Sequence, residues 1–311
     1  MTDWTTSDIP SQQGRTAVVT GTGGLGLEIA LALARAGAKV IIAGRNPSKG
    51  AIAVKQIRHS VADSNVTFEV MDLASLDSIH AFAKRLQASQ PSLDLLVNNA
   101  AVMSPPDRQA TRDSFELQFG TNYLGHFALT ARLLPLLIKG DKARVVSLSS
   151  IAARSGKINF DDLQAQRSYH PMPAYGQSKL ACLMFALELQ RRSDAAGWSI
   201  QSIAAHPGVS RTELLPNGAG PTSVPGLLRR YLWFLFQPAA QGALPALFAA
   251  TSAKAQGGAY YGPARLGETR GFPTQAKVPA QALDESVAAR LWRESQALTG
   301  VTFPTGNGEP H

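Results

Sequence analysis

The chain has 311 residues, 44% apolar and 17% charged, with 27 Gly, 19 Pro and a single Cys. That length and balance allow a core of ordinary size and exclude collagen-like, disulfide-scaffold and intrinsically disordered classes. The net charge of +8, from 30 Lys+Arg against 22 Asp+Glu, contains no long block of like charges, so no nucleic-acid partner is expected.

Cys182 has no second cysteine with which to close a disulfide, and the six histidines show no zinc-ligand spacing, so no metal is expected. The opening MTDWTTSDIP is polar and acidic and does not read as a secretory signal. The most apolar run, 227–236, is too short to span a bilayer and is broken by Arg229 and Arg230. The expectation is a cytoplasmic chain with no transmembrane segment.

After an N-terminal extension over 1–13, β-branched runs alternate with stretches of helical period from 14 to 262. Strands are predicted at 16–20, 39–43, 66–70, 93–97, 144–148, 198–205 and 258–262, and helices near 25–36, 48–62, 75–88, 113–139 and 174–192. Most of the strands are continuous apolar runs, as in strands covered on both faces. The pattern predicts one α/β domain built on a doubly wound, seven-stranded parallel sheet with helices on both faces.

Residues 153–173 and 207–237 read as long loops, and long loops on such a core are often functional. The apolar residues of 227–236, taken at helical period, suit a substrate lid or a contact with another subunit; a shallow membrane contact is a weaker third reading. Residues 263–311 form a C-terminal extension with one helix near 280–296 and a polar end expected to be disordered.

The first strand runs straight into Gly21-Thr22-Gly23-Gly24-Leu25-Gly26 and then into a helical stretch. This is G-x-G-x-x-G in the strand-turn-helix setting that gives it meaning: bare backbone can approach a pyrophosphate, and the helix start supplies free N–H donors. A dinucleotide fold specific for NAD usually carries an acid after the second strand. Here the sequence is Ala43-Gly44-Arg45-Asn46, and no carboxylate occurs between Glu28 and Asp63. Arg45 is suited to a 2′-phosphate, so the residues point to NADP(H); the plainer alternative is that Arg45 only solvates a helix start.

Tyr175 and Lys179 are four apart in a helical stretch, so their Cβ atoms lie about 5–6 Å apart on one face. An ammonium one turn away would make a phenol a usable proton donor; otherwise the pair is ordinary helix surface. Ser149 and Ser150 directly follow a strand, where a hydroxyl can stabilise a substrate oxygen or simply cap the next turn.

Together with Asp72-Leu73, Asn98-Asn99-Ala100-Ala101, Asn122 and Pro207-Gly208 with Thr212, these segments resemble the short-chain dehydrogenase/reductase family over residues 14–262. The stretch 144–181 is similar to its retinol dehydrogenase and protochlorophyllide reductase branch. The glycine loop departs from the family's T-G-x-x-x-G-x-G by being one residue tighter. The resemblance implies a Rossmann fold and a catalytic set of Asn122, Ser150 (in preference to Ser149), Tyr175 and Lys179. Asn122 would hold a water that relays protons from Lys179, and Lys179 would also bind the nicotinamide ribose.

The adenine end of the cofactor would meet Asp72 and Leu73, its ribose Asn99, Ala100 and Ala101, and its nicotinamide end Pro207, Gly208, Val209 and Thr212. His126, His206 and Cys182 read as packing residues. The implied activity is NADP(H)-dependent interconversion of a hydrophobic ketone or aldehyde substrate and its alcohol. The alternatives are reduction of an activated C=C bond and a non-catalytic NADP-sensing module. The family often pairs as a homodimer or homotetramer through the helices near 113–139 and 174–192.

Overall fold

The computed structural model describes residues 3–210 and 237–304. Eight strands among them form one sheet: β1 (Thr16–Thr20), β2 (Lys39–Gly44), β3 (Val66–Val70), β4 (Leu95–Asn98), β5 (Arg144–Leu148), β6 (Gln201–Ala205), β7 (Tyr260–Arg265) and β8 (Arg270–Gln275). Their spatial order is β3-β2-β1-β4-β5-β6-β7-β8, parallel as far as β7, with β8 antiparallel to β7. The α/β doubly wound class is as expected. The count is corrected from seven parallel strands to eight, because β8 follows β7 through a tight turn instead of a helical crossover. Pro273 and Gly271 disguise β8 in the sequence; proline is tolerated there because β8 is an edge strand.

Alternate side chains of the buried strands feed two apolar cores. One lies under α1 (Gly24–Arg35), α2 (Pro47–Ser60) and α6 (Ala239–Thr251). The other lies under α3 (Leu76–Ser89), α4 (Gly125–Leu137), α5 (Pro171–Ala196) and α7 (Glu285–Thr299). No helix was expected over 239–251, because α6 lacks a polar stripe and contains Pro245; it is buried along most of its length. At the far edge, Arg58 and Arg85 donate to the carbonyls of Val66 (2.9 Å) and Val70 (2.8 Å), covering acceptors that an unpaired strand would otherwise expose.

Residues beyond 262 contribute to the same body as the rest of the chain. Trp292 of α7 packs against Phe127 of α4 (5.0 Å between ring centres) and Phe185 of α5 (5.7 Å), and Phe303 closes on Trp292 at 4.5 Å. The Arg192 guanidinium lies 4.4 Å from the Trp292 ring, held by Glu188. A partner chain could reach this aromatic face of α4 and α5 only by displacing α7. Truncating the fully buried Trp292 to Ala is expected to cost about 3–5 kcal/mol in urea unfolding. A cost under about 1 kcal/mol would show that α7 is only loosely attached.

Candidate active site

The chain leaves β1 at Thr20, turns through Gly21 (φ +99°) and enters α1 at Gly24, whose preceding residue, Gly23, offers no side-chain cap. The Gly26 N–H turns back onto the Gly23 carbonyl (3.1 Å), and the N–H groups of Gly24 and Leu25 are left for a ligand. A Cβ on Gly26 would come within 2.6 Å of the Gly21 carbonyl and 2.7 Å of the Asn99 amide, while one on Gly23 would meet nothing within 4 Å. The turn is closed by glycine on its inner side and open on its outer side, which suits the backbone approach of a diphosphate. The one-residue shortening leaves the strand-turn-helix geometry intact.

A cleft of about 410 Å³ is lined by Gly21, Thr22, Gly23, Gly24, Leu25, Arg45, Asn99, Ala100 and Ala101, and runs on to an apolar wall of Val102, Met103, Pro105 and Leu117. A second hollow of about 260 Å³ shares Gly21, Thr22, Arg45, Ala100 and Ala101 with it and continues past Asn46 to Asp72 and Leu73. The expected cofactor residues of the first four strands thus meet in one groove. Some of their polar capacity is already spent: Asn46 caps α2 by accepting from Lys49 N (3.0 Å), Asp72 accepts from Ala74 N (3.0 Å), and the Asn99 amide donates to Thr20 O (2.7 Å). Arg45 is exposed on the groove wall and pairs with no carboxylate among the described residues.

On α5, the buried Lys179 donates to the Leu148 carbonyl at 3.0 Å, and its Nζ lies 5.9 Å from the centre of the Tyr175 ring. The Tyr175 hydroxyl has no hydrogen-bond partner among the described residues. A Cβ on Gly156 would run into the Gly176 carbonyl, so two glycines let the turn that follows Ser150 lie directly against α5 beside Tyr175. Ser149 is buried and gives its proton to Lys179 O at 2.8 Å. Ser150 accepts from Ala152 N at 3.2 Å and keeps its own proton free of any described acceptor.

Asn122 is fully buried in a π-helical segment, Phe119–Leu124, that runs into α4. Such a segment disturbs the regular main-chain ladder and commonly marks a functional site. The Asn122 side chain is fixed by Val102 N (2.8 Å), Val102 O (2.9 Å) and Ser178 Oγ (3.0 Å). Its carbonyl accepts from His126 Nδ1 (2.9 Å) and Cys182 Sγ (3.2 Å). Burial, aided by the Lys179 charge, lowers the His126 pKa to about 4, and burial pushes the Cys182 thiol up.

The segment expected as a long loop over 153–173 is tied down on the other side of the cleft wall. Tyr169 donates to Pro105 O (2.9 Å) and Arg108 to Gln164 O (2.9 Å). Gln164 in turn accepts from Glu116 N (2.8 Å). Glu116 is buried, which raises its pKa, and its carboxyl caps the start of the π segment by accepting from Gln118 N (3.0 Å) and Phe119 N (2.7 Å).

Pro207, Gly208 and Val209 follow β6, and Gly208 is left-handed (φ +63°) against the Thr269 carbonyl. Thr212 and most of the expected lid lie outside the described residues. The sequence did not reveal what holds this corner. Glu268, from the turn between β7 and β8, binds His206 Nε2 (3.0 Å) and Arg154 (2.7 Å) together. Burial lowers the His206 pKa to about 4; burial opposes ionisation of Glu268, but the Lys277 N–H, His206 and Arg154 hold it below the usual carboxylate range. The partners are more than sixty residues apart in sequence, so spacing could not have shown the contact.

With this geometry, a family model for short chain dehydrogenase matches residues 15–219. The chain belongs to the short-chain dehydrogenase family. It lies in the retinol dehydrogenase-like branch: it is 40% identical to retinol dehydrogenase 13 of Mus musculus, covering 94% of this chain and 86% of that one. It is 38% identical to polyprenol dehydrogenase of Danio rerio, covering 94% and 89%. A crystal structure of an uncharacterized protein from Mycobacterium paratuberculosis is 38% identical with a TM-score of 0.81, covering 97% of this chain and all of that one. The family activity is hydride-transfer oxidoreduction with a nicotinamide cofactor.

The two buried histidines give a signed pH prediction. Unfolded, each binds a proton below about pH 6.5; folded, each does so only near pH 4. The unfolded state holds more protons across that window, so stability is present above pH 6.5 and lost as pH falls through it, on the order of 1 kcal/mol per pH unit for each histidine. The thermal midpoint should fall steadily between pH 6.5 and 5, and a flat profile there would contradict the buried neutral assignment.

Proposed function

We propose that the protein is an NADP(H)-dependent dehydrogenase/reductase that interconverts a long apolar primary alcohol and its aldehyde. The observation that carries this reading is that the carboxyl ends of the parallel strands carry, after β5, a Ser150 proton and, on α5, a Tyr175 phenol, neither with a partner among the described residues, together with a buried Lys179 fixed to the end of β5 and, after β1, a glycine-walled groove. A bound nicotinamide would supply or accept the hydride. Tyr175 gives its phenolic proton to the carbonyl oxygen in reduction, or takes the hydroxyl proton in oxidation. Ser150 donates to the same oxygen and stabilises the charge that grows on it; Ser149 is unsuited because its proton is committed to Lys179 O. Lys179, fixed by Leu148 O, keeps a positive charge beside the phenol while the proton moves.

NADP(H) is favoured over NAD(H) because Arg45 stands on the groove wall where an NAD site would carry an acid. Gly21 to Leu25 would hold the diphosphate, Asp72 and Leu73 the adenine, and Asn99, Ala100 and Ala101 its ribose. The substrate class rests on the two relatives' names: retinol and polyprenol share an apolar chain with a terminal primary alcohol. The wall of Val102, Met103, Pro105 and Leu117 suits such a chain.

Tyr175→Phe should bind NADPH within about threefold of wild type while turnover falls about a hundredfold or more. Retained turnover would remove Tyr175 from the chemistry. Arg45→Ala should lower the NADPH-over-NADH ratio of kcat/KM about tenfold or more. An unchanged ratio would remove the basis for NADP(H).

A further inference from the structure

His126 lines neither cleft that forms the cofactor groove, and the proposed chemistry gives it no task. Its ring nevertheless bridges two parts of the site. Nδ1 faces the Asn122 carbonyl at 2.9 Å, and Nε2 faces the Thr20 hydroxyl at 2.9 Å. A carbonyl only accepts, so Nδ1 carries the proton and Nε2 of the neutral ring must accept. The Thr20 hydroxyl therefore donates to Nε2, in preference to the more distant Val97 carbonyl at 3.3 Å. Its oxygen accepts from Asn99 N and Ala100 N, both at 2.9 Å.

The donors and acceptors then match along one direction: from the N–H groups of Asn99 and Ala100 to Thr20, from Thr20 to His126, and from His126 to Asn122. Burial keeps the ring neutral, and the neighbouring Lys179 charge acts in the same sense, so the direction does not reverse near neutral pH. Each bond in such a chain polarises the next. One end is the groove wall, where Asn99 and Ala100 stand and where Gly21 follows Thr20. The other end is the π segment, whose Asn122 side chain holds Ser178, the residue before Lys179. We infer that His126 is a positioning residue that ties the cofactor groove to Asn122 and its π segment, so that cofactor affinity and turnover depend on the same hydrogen-bond chain.

This inference rests on the proposed function for its turnover arm, whereas its binding arm stands without it. The experiment measures the NADPH dissociation constant by nucleotide fluorescence, kcat at saturating NADPH and the thermal midpoint, for His126→Leu, Thr20→Val and the double variant. Each single variant should weaken NADPH binding about threefold or more and lower kcat about tenfold, although His126 lies outside the groove. The double variant should be no worse than the poorer single one, since both break one chain. His126→Asn, whose amide can still donate to the Asn122 carbonyl without reaching Thr20, should recover kcat more than affinity.

Additive losses in the double variant would overturn the inference, as would a His126→Leu enzyme that loses only thermal stability. If His126→Leu does not fold, Thr20→Val decides: loss of both affinity and kcat supports the coupling, and loss of affinity alone overturns it. A wild-type protein that binds NADPH but turns over no carbonyl or alcohol would defeat the proposed function; the affinities of the variants would then still decide the role of His126.

Discussion

Between β1 and β4 the sheet order reverses, and the chain leaves the two strands toward opposite faces: α1 on one, α4 on the other. That divergence opens a crevice at the carboxyl ends of the strands, where α/β sheets bind ligands. Thr20 fixes its width. The Thr20 hydroxyl accepts the main chain of Asn99 and Ala100, and the Thr20 carbonyl accepts the Asn99 amide. With β1 and β4 held at this distance, Gly21 and Gly26 have no room for side chains, and the backbone of the turn becomes the groove floor.

The proposed catalytic residues depend on this junction through α4 and α5. The π segment presents Asn122 to Val102 and Ser178, Glu116 caps its start, and Lys179 reaches across to the last residue of β5. Behind these groups the aromatic cluster of Phe127, Phe185, Trp292 and Phe303 presses α4, α5 and α7 together. The C-terminal residues stabilise the site from behind, while the turn carrying Glu268 braces it from the side by holding His206 and Arg154. Three successive left-handed residues, Leu266, Gly267 and Glu268, shape that turn. Local backbone cost is accepted there to deliver one carboxylate to two partners.

The sequence made the parallel core legible because buried strands are short, continuous apolar runs and their helices carry a clear period. The groove was legible for the same reason, since the glycine turn, Arg45, Asp72 and Asn99 each follow a strand end. Helix α6 escaped because a helix buried on all sides shows no period, and β8 because its proline and glycine read as loop. The choice of Ser150 over Ser149 came from resemblance; the structure adds a physical reason, since only Ser149 spends its proton on Lys179 O. His126 and His206 were read as packing residues. Both are buried, yet their partners are Thr20 and Glu268, 106 and 62 residues away, and no local pattern encodes contacts of that range.

The proposed reaction is hydride transfer between the carbinol carbon of an apolar alcohol and a nicotinamide. It is tested most directly with a long-chain primary alcohol dideuterated at the carbinol carbon, incubated with NADP+ and the wild-type protein, followed by mass spectrometry of the nucleotide and the organic product. One deuterium is expected in the reduced nucleotide and one in the aldehyde. Deuterium retained in full by the alcohol, with the nucleotide unlabelled across a panel of such substrates, would contradict the proposed reaction.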